Sequence, residues 1–402
     1  MVEILRLGHA GDGITAEGLF IPYTVPGDIV RIAPQSAGAR VEKIIASGPS
    51  RVVPPCEHFG RCGGCALQMM AHEPYLAWKR ELVVNALQQR GFANPPVEQI
   101  RVVPPGTRRR AAFKARAAAT GVSVGFYESG TRNLVDVRQC PVLAPELANL
   151  IAPLKVQFAP ILKSGETAEL HATATDAGVD LSIKLKRARS PDLLASLAGL
   201  AASLHLARLS WNGEVLAVEN APYLRIGRFT VVLPVECFLQ PTKQGEQILQ
   251  ELATEAVGAV RCVADLFCGC GTFALTLADG RTVYAADSVQ AQIDSLAAAA
   301  KAGRANLTAE TRDLFRRPLL ASELERFDAV VLDPPRPGAT AQIQVLAQSS
   351  VPNVIYVSCN PASFSRDART LCEGGYRLDR VVPLDQFLWS PHVELFAHFT
   401  RS

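Results

Sequence analysis

From residue 236 onward, predicted strands and helices alternate regularly, and this order constrains the fold of the chain more than any other feature. The predicted elements are, in chain order, a helix over 243–257, a buried strand over 262–267, a helix that starts after Gly271, a strand that ends at Asp287, an alanine-rich helix up to Gly303, a strand that reaches Asp333 and a strand over Asn353–Ser358. Strands and helices of this length in alternation predict a parallel, doubly wound α/β sheet. Two further apolar segments, 376–382 and 393–400, are predicted to add edge strands.

Two parts are predicted to precede this unit in the chain of 402 residues. The first part contains short apolar segments punctuated by Gly11-Asp12-Gly13 and Pro26-Gly27-Asp28, which predicts a small, OB-like β-barrel. The second part mixes strands and helices without a regular rhythm, and its first helix is predicted near 76–90. We therefore expect a β-barrel over 1–50, an α+β central domain over 51–235 and the doubly wound domain over 236–402.

Composition and cysteine spacing narrow the class of protein. Hydrophobic residues make up 48% of the chain, which excludes an intrinsically disordered protein, and no uncharged segment is long enough to span a bilayer. The ten cysteines are clustered rather than spaced as a disulfide framework, and the start of the chain lacks the features of a signal peptide. We therefore expect a cytoplasmic protein whose cysteines are reduced or bound to a metal.

The segment Asp265-Leu-Phe-Cys-Gly-Cys-Gly271 follows the predicted buried strand and opens a helix, as in a nucleotide pocket. Glycines at such a turn, Gly269 among them, let the backbone approach a ligand. Three later acids, Asp287, Asp313 and Asp333, end predicted strands at the same carboxyl edge, although they can also be solvated strand ends or caps. The glycine spacing of a dinucleotide site is missing after Gly271, so S-adenosylmethionine, which has no pyrophosphate, fits better.

Cys359, in Val-Ser-Cys-Asn-Pro (357–361), is a candidate nucleophile. It follows a predicted strand, and Pro361 suits the first turn of the next helix. We expect the positive potential of that helix N-terminus to stabilise the thiolate. Glu394, in His-Val-Glu (392–394), is a candidate base, and its alternative role is that of an ordinary surface carboxylate.

The segments 265–271, Leu-Asp-Pro-Pro-Arg-Pro-Gly (332–338), 357–361 and 392–394 together resemble the RNA uracil-5-methyltransferase family. The resemblance implies a Rossmann-like methyltransferase sheet that uses S-adenosylmethionine, with Cys359 as the nucleophile and Glu394 as the base. Besides Gly269, the positions that it implies for cofactor contacts are Gln240, Phe267, Thr272, Asp287, Asp313 and Asp333.

These residue types suit the chemistry of methyl transfer to uracil. C5 of uracil is a poor nucleophile, and a thiolate that adds to C6 generates an enolate in which C5 can accept a methyl group. The C5 proton must then leave to a base within hydrogen-bond reach, which is the role that the resemblance gives to Glu394.

Cys56-x5-Cys62-x2-Cys65 and the distant Cys140 offer four thiolates to a metal. Ligand chemistry alone leaves a structural zinc ion and a [4Fe–4S] cluster about equally favoured. The resemblance favours the [4Fe–4S] cluster, because the iron–sulfur branch of the family carries this spacing with a remote fourth cysteine. Its expected role is structural, since methyl transfer consumes no electron.

The net charge of +3 is too small to indicate a polyanionic partner by itself. Three local features of the sequence nevertheless predict contacts with RNA. The N-terminal part resembles the TRAM module, an RNA-binding β-barrel. A run between Gln99 and Tyr127 combines Phe113 and Phe126 with Arg101, Arg108, Arg109, Arg110, Lys114 and Arg116. A second basic run consists of Lys184, Lys186, Arg187 and Arg189. Either run can instead be a solvated strand face.

The sequence therefore predicts a monomeric enzyme that methylates C5 of a uridine in RNA, with 23S ribosomal RNA as the expected target and rRNA processing as its context. Transfer RNA is the first alternative substrate. Two further alternatives are an RNA cytosine-5-methyltransferase and a non-catalytic RNA-binding factor.

Overall fold

The computed structural model describes residues 1–35 and 38–401. The first part of the chain contains six strands: β1 (Val2–Glu3), β2 (Arg6–Leu7), β3 (Gly13–Ile14), β4 (Phe20–Ile21), β5 (Ile29–Gln35) and β6 (Gly38–Ala46). They pair as two antiparallel three-stranded sheets, in the orders β1-β5-β6 and β2-β3-β4. Within the described residues this strand pairing does not close into a single sheet, so the predicted barrel is not confirmed.

The turn at Asp28 holds these N-terminal sheets to the segment that follows. Gly27 has a φ of 86°, which only glycine adopts without strain. The buried carboxylate of Asp28 accepts hydrogen bonds from the backbone N–H groups of Val25 (2.8 Å) and Gly48 (2.9 Å), and from Arg51 Nη2 (2.6 Å). Because the charge of Asp28 is paired and hydrogen-bonded, it can be buried here without a large desolvation penalty.

The middle of the chain contains a helix, a short strand and a seven-stranded sheet with flanking helices. Its elements are α1 (His72–Gln88), β7 (Arg101–Val102), β8 (Arg110–Ala118), β9 (Gly121–Tyr127), β10 (Leu134–Asp136), α2 (Pro145–Ala148), α3 (Ile151–Phe158), β11 (Thr167–Thr175), β12 (Gly178–Lys184), α4 (Pro191–Ser203), β13 (Arg208–Trp211) and β14 (Glu214–Val218). The sheet has the order β10-β9-β8-β11-β12-β13-β14, and a separate hairpin follows, formed by β15 (Tyr223–Ile226) and β16 (Phe229–Val232).

The remaining elements form the regular α/β unit that the sequence predicts. They are α5 (Lys243–Val257), β17 (Cys262–Leu266), α6 (Ala274–Leu277), β18 (Thr282–Asp287), α7 (Gln290–Ala302), β19 (Leu307–Thr311), α8 (Ala321–Leu324), β20 (Ala329–Leu332), α9 (Thr340–Leu346), β21 (Asn353–Ser358), α10 (Pro361–Glu373), β22 (Arg377–Asp385) and β23 (Glu394–Thr400). The bounds of α5 and β21 are those predicted from the pattern. Helix α1 begins earlier than predicted, because Pro74 lies in its first turn, where a missing N–H costs nothing.

The C-terminal sheet has the order β19-β18-β17-β20-β21-β23-β22-β7, and strands β17 to β21 are parallel. Side chains from α5, α6 and α7 cover one face, and side chains from α1, α9 and α10 cover the other, which confirms the doubly wound arrangement. The prediction that both final segments add edge strands is wrong. Strand β23 lies inside the sheet between β21 and β22, and β7 forms the edge.

Among the helices of the described ranges, none has both the length and the apolar character that a membrane crossing requires.

Candidate active site

Cys359 lies at the carboxyl end of β21, directly before helix α10. Asn360 caps this helix, since its side chain accepts a hydrogen bond from the N–H of Ala362 at 3.1 Å, and Pro361 is the first helical residue as predicted. The last registered pair between β21 and the antiparallel β23 is Ser358 with Leu395. Cys359 directly follows this pair on one strand and Glu394 directly precedes it on the other, so the two side chains are neighbours, and Glu394 acts electrostatically on the Cys359 thiol.

Glu394 is the first residue of β23 and is only 3% exposed, so the alternative of a surface carboxylate is wrong. Its Oε2 atom accepts a hydrogen bond from Nε2 of Gln386 at 2.8 Å. The same Nε2 donates to Oε1 of Gln240 at 2.9 Å, and Nε2 of Gln240 donates to Oδ2 of Asp333 at 2.8 Å. Two amides therefore connect two carboxyl groups, one beside Cys359 and one at the end of β20. Gln386 was not among the residues predicted from the sequence, although an amide next to Asp385 in an apolar strand was a signal for it.

Burial raises the pKa of both of these carboxyl groups, so they ionise less readily than carboxyl groups in water. Burial, followed by the charge of Asp333, raises the pKa of Glu394 well above its usual range, and the hydrogen bond from Gln386 opposes this rise. Burial also raises the pKa of Asp333 to about 7, against a lowering by the hydrogen bond from Gln240. The ligand-free site therefore favours a neutral carboxylic acid at Glu394, whereas Asp333 is divided between its neutral and ionised forms near pH 7.

The expected stabilisation of a Cys359 thiolate is not found in this site. Burial, with the charge of Glu394 as the next cause, raises the pKa of the Cys359 thiol to about 11, and the guanidinium of Arg336 opposes the rise. Burial and the neighbouring Glu394 together outweigh Arg336, so the thiol form is favoured. Cys359 is thus a thiol at rest.

Arg336 and His392 lie beside Cys359 at the surface of the site. Nη2 of Arg336 lies 2.8 Å from Nδ1 of His392, and the carbonyl of Arg336 accepts hydrogen bonds from Asn360 and Ser363. Burial, and then the charge of Arg336, lowers the pKa of His392, so the imidazole is neutral and can accept the guanidinium N–H.

A cavity of about 1060 Å³ opens at this position. Cys359, Arg336 and His392 line one wall, while residues 5–10 of the N-terminal sheets and residues of α1 such as Trp78 line the others. The cavity is large enough for a flipped base with its neighbouring sugar and phosphate. The nucleophile candidate is therefore accessible from outside.

The predicted cofactor turn lies at the carboxyl ends of β17 and β18. Asp265 is fully buried, and its Oδ2 accepts the N–H of Ala274 at 2.7 Å, which fixes the turn against helix α6. Gly271 has a φ of 94°, and a Cβ atom there would lie 2.5 Å from Leu296. The carboxylate of Asp287 accepts the N–H groups of Gly269 and Val289, both at 3.0 Å. The turn thus depends on glycine for its backbone shape and on carboxylates for its position.

Phe267 and Phe315 form an aromatic wall next to this turn. Phe267 adopts a φ of 62°, an uncommon conformation for a residue with a side chain, and its ring centroid lies 5.4 Å from that of Phe315. Asp313 holds Phe315 in place by accepting its N–H at 3.0 Å, and 49% of Phe315 is exposed. Thr272 also lies in the turn, where its carbonyl accepts a hydrogen bond from Gln250. Sequence reasoning missed Phe315, whose position two residues after Asp313 was the available signal.

The four predicted metal ligands, Cys56, Cys62, Cys65 and Cys140, line one cavity of about 640 Å³. Burial, followed by the charges of neighbouring cysteines, raises the pKa of the Cys65 thiol to about 12. Within the described ranges, however, no three His, Cys, Asp or Glu side chains converge closely enough to hold a single metal ion. This cavity shares Ala10, Pro391 and His392 with the cavity at Cys359.

Part of the first basic run is internal: Arg109 and Phe113 are buried, whereas Arg101 and Arg116 are exposed. Arg109 is buried and pairs with Glu246 at 2.5 Å, and Arg110 donates to the carbonyl of Leu239 at 3.0 Å. Phe113 is fully buried in the central core against Phe126, so it cannot stack on a base. Alternation in β8 explains this outcome, because residues 113, 115 and 117 face the core while 112, 116 and 118 face solvent.

The second basic run is mostly paired with carboxylates. Lys184 lies 2.9 Å from Glu236, Arg189 lies 2.6 Å from Glu214, and Arg187 pairs with Glu166. These pairs reduce the positive potential available to a phosphate backbone, so the alternative of a solvated face is the better description.

The comparisons with known proteins agree with this geometry. A family model described as tRNA (Uracil-5-)-methyltransferase matches residues 224–401. The chain is 42% identical to an uncharacterized RNA methyltransferase of Caulobacter vibrioides, over 100% of this chain and 99% of that protein. It is 33% identical to the 23S rRNA (uracil(1939)-C(5))-methyltransferase RlmD of Halomonas elongata, over 97% of this chain and 87% of that protein.

The fold also has a counterpart among solved structures. The crystal structure of Pyrococcus abyssi tRNA (uracil-54, C5)-methyltransferase in complex with S-adenosyl-L-homocysteine superimposes with a TM-score of 0.77, at 23% identity and over 99% of both chains. This likeness establishes the fold over the whole length of the chain.

Proposed function

The chain belongs to the RNA uracil-5-methyltransferase family, and we propose from this premise that it methylates C5 of a uridine in 23S ribosomal RNA through a covalent adduct with Cys359. One observation carries the proposal. The last registered pair of β21 and β23, Ser358 with Leu395, is flanked by Cys359 on one strand and Glu394 on the other, at the same edge of the sheet as the cofactor turn.

Cys359 and Glu394 have complementary roles in the proposed reaction. The sulfur of Cys359 forms a bond to C6 of uracil, and the electron pair of the C5–C6 double bond moves onto the ring as an enolate. Bound S-adenosylmethionine supplies an electrophilic methyl group to C5. Glu394 then takes the proton from C5, and the electrons of that C–H bond restore the double bond as the C6–S bond to Cys359 breaks.

In the resting site, the favoured protonation states of Cys359 and Glu394 differ from those that the reaction needs, so substrate binding must change them. The raised pKa values favour a thiol at Cys359 and a carboxylic acid at Glu394 in the ligand-free site, whereas the reaction needs a thiolate first and a carboxylate later. Arg336 is the cation beside the sulfur that favours ionisation of Cys359. We propose that Cys359 loses its proton to solvent through the open cavity of about 1060 Å³, and that Arg336 stabilises the resulting anionic sulfur when uracil binds.

For S-adenosylmethionine, the proposed site is the turn at 267–272 with its flanking acids. Asp287 and Asp313 end neighbouring strands and are suited to accept the ribose hydroxyls and the adenine amine. Phe267 and Phe315 provide an aromatic surface for the adenine ring, and Gly269 and Thr272 provide backbone groups near the cofactor. Gln240 and Asp333 are proposed to contact the part of the cofactor nearest to Cys359.

Transfer RNA is a second candidate substrate. The description of the matching family model and the name of the Pyrococcus abyssi protein both refer to tRNA, which favours this candidate. The name of the Halomonas elongata relative refers to 23S rRNA, and its 33% identity over 97% of the chain is the reason for our first choice.

We also propose that Cys56, Cys62, Cys65 and Cys140 hold a [4Fe–4S] cluster. All four line one cavity, which supports a shared ligand. Four cysteine thiolates are the usual ligand set of such a cluster. The cluster would tie residues 56–65 to residue 140.

The expected partners and boundaries complete the proposal. The N-terminal sheets and the exposed Arg101 and Arg116 are proposed to contact RNA, and the three domains are proposed to span 1–50, 51–235 and 236–402. We propose that the enzyme acts as a monomer in the cytoplasm.

The proposed function is tested with 5-fluorouridine RNA, in which the C5 substituent cannot leave as a proton. We expect the protein with S-adenosylmethionine to form a denaturation-resistant adduct with a 23S rRNA transcript, and Cys359→Ala to form none. Cys372→Ala, at a half-buried thiol in α10, is the matched control and should react normally. An adduct through another cysteine, or a stronger reaction with a tRNA or cytidine transcript, would replace this proposal.

A further inference from the structure

We propose that Gln386 is a positioning residue for the base, holding one oxygen of Glu394 in a fixed direction through its side-chain N–H. This inference rests on the proposed role of Glu394. It concerns how a carboxylic acid that is almost completely buried becomes an effective base at one specific atom.

The amide nitrogen of Gln386 has two hydrogens, and both are used. One goes to Oε2 of Glu394 at 2.8 Å and the other to Oε1 of Gln240 at 2.9 Å. Gln386 itself is 2% exposed, so neither hydrogen bond competes with bulk water. Both acceptors lie at the site, and the amide thus links Glu394 to the Gln240–Asp333 pair.

The two N–H groups of the Gln386 amide, and not its oxygen, form the hydrogen bonds that determine its orientation. Its carbonyl oxygen, Oε1, is buried and has no hydrogen-bond partner among the described residues. An unpaired buried carbonyl is costly, and turning the amide over would point that oxygen at Oε1 of Gln240, an acceptor, and at Glu394, which also accepts once it is ionised. The side chain of Gln386 therefore donates hydrogen bonds to both neighbours and leaves its own oxygen without a partner among the described residues.

The backbone around Gln386 leaves the side chain little freedom. Asp385, the preceding residue, accepts a hydrogen bond from Tyr75 of α1 at 2.7 Å and forms a buried ion pair with Lys79. On the other side, a Cβ atom placed on Gly245 in α5 would lie 2.4 Å from Oε1 of Gln386. Helix α1 thus fixes the residue before Gln386, and helix α5 packs against the amide itself.

This geometry has a consequence for proton transfer. The hydrogen bond from Gln386 favours the ionised form of Glu394, in opposition to the effects of burial and of Asp333 on its pKa. Loss of the donor should leave Cys359 able to attack C6 and should specifically slow removal of the C5 proton.

The test uses Gln386→Met in the full-length protein, because methionine has nearly the volume of glutamine but no N–H. Gln342→Met is the matched control, since Gln342 is also a fully buried glutamine but bonds to the backbone of Leu319 instead of to the site. Two reactions are measured: adduct formation with 5-fluorouridine RNA, and release of tritium from RNA labelled at C5 of uridine.

For Gln386→Met we expect adduct formation within about twofold of the unsubstituted protein and tritium release slower by about tenfold, as expected for one lost hydrogen bond to a charged group. The rise of tritium release with pH should move to higher pH, because Glu394 then ionises less readily. Gln342→Met should change neither the ratio of the two rates nor the pH dependence.

Equal tritium release and an unchanged pH profile in Gln386→Met would overturn the inference, and so would an equal loss of both reactions. A different result tests the proposed function. If the unsubstituted protein forms no adduct and releases no tritium, the proposed function itself fails.

Discussion

Lys79 of helix α1 and Asp385 at the end of strand β22 form a buried ion pair that joins two distant parts of the chain directly before the candidate active site. Tyr75 donates to the other oxygen of Asp385 at 2.7 Å, and Lys79 also donates to the carbonyl of Phe387 at 3.0 Å. The N–H of Trp389 completes the network by donating to the Tyr75 hydroxyl at 2.8 Å. Helix α1 therefore holds the segment between β22 and Glu394.

Removal of one partner of this pair should destabilise the protein strongly. Asp385→Asn leaves the charge of Lys79 buried without a counterion, and we expect the free energy of unfolding to fall by about 3–5 kcal/mol. Urea unfolding followed by tryptophan fluorescence measures the change. Lys79→Met combined with Asp385→Asn should recover part of the loss, and Arg369→Gln, at an exposed pair on α10, should change stability by less than about 1 kcal/mol. A small effect of Asp385→Asn alone would contradict the importance of the pair.

Adduct formation should accelerate as the pH rises. The pKa of the Cys359 thiol is raised to about 11, so at neutral pH only a small thiolate fraction is present, and this fraction increases about tenfold per pH unit below the pKa. We expect the initial rate of trapping by 5-fluorouridine RNA to rise between pH 7 and 9 without reaching a plateau. Arg336→Gln removes the cation that favours the thiolate and should lower the rate throughout this range. A rate that is flat above pH 7 would show that the thiol ionises more easily in the complex with RNA.

Phe315 should contribute to cofactor affinity. Its ring packs beside Phe267 at the cofactor turn, and its exposure means that truncation does not open a core cavity. We expect Phe315→Ala to weaken binding of S-adenosylhomocysteine by about two- to tenfold, which corresponds to the loss of one aromatic contact. Isothermal titration calorimetry measures the affinity, and Leu320→Ala, at another exposed apolar side chain, should leave it unchanged. Equal affinities for Phe315→Ala and the unsubstituted protein would move the adenine away from this wall.

Substitution of a cluster cysteine should remove iron. We expect Cys62→Ser, in protein purified without oxygen, to lose the brown absorbance and most of the iron, because three thiolates bind the cluster less firmly than four. Cys262→Ser, at a half-buried thiol outside the cysteine cavity, should keep both. Iron and acid-labile sulfide are measured per protein. Retention of iron in Cys62→Ser would remove Cys62 from the ligand set, and zinc in place of iron would change the identity of the metal.

Several features of the fold were predictable because they depend on local pattern. Helix α5 and strand β21 occur at the predicted residues, since amphipathic periodicity and a buried apolar run are visible along the chain. The positions of Asp287 and Asp333 at strand ends follow from the same alternation. The place of β23 inside the sheet was not predictable, because strand order depends on long-range pairing and not on the residues of the strand itself.

The burial and the ionisation of individual side chains were the least predictable properties. Arg109 and Phe113 occur in a run that looks like an RNA-binding surface, yet one pairs with Glu246 and the other fills the core. Cys359 follows a strand and precedes a helix as predicted, but its ionisation is determined by burial and by Glu394, which lies 35 positions further along the chain. Burial and ionisation depend on residues that are close in space but distant in the sequence, so local sequence patterns do not predict them.

The sequence by itself indicated the order of strands and helices and the glycine turn, because these are properties of residue type and short-range spacing, and a family resemblance singled out Cys359 and Glu394 as candidate reactive groups. Only the tertiary structure decided that Cys359 and Glu394 flank the same strand pair, that Gln386 joins Glu394 to Gln240, and that Lys79 of helix α1 pairs with Asp385 beside the site. The physical reason is that strand register, burial and hydrogen-bond geometry arise from contacts between residues far apart in the chain, and the pKa of each reactive group depends on those contacts.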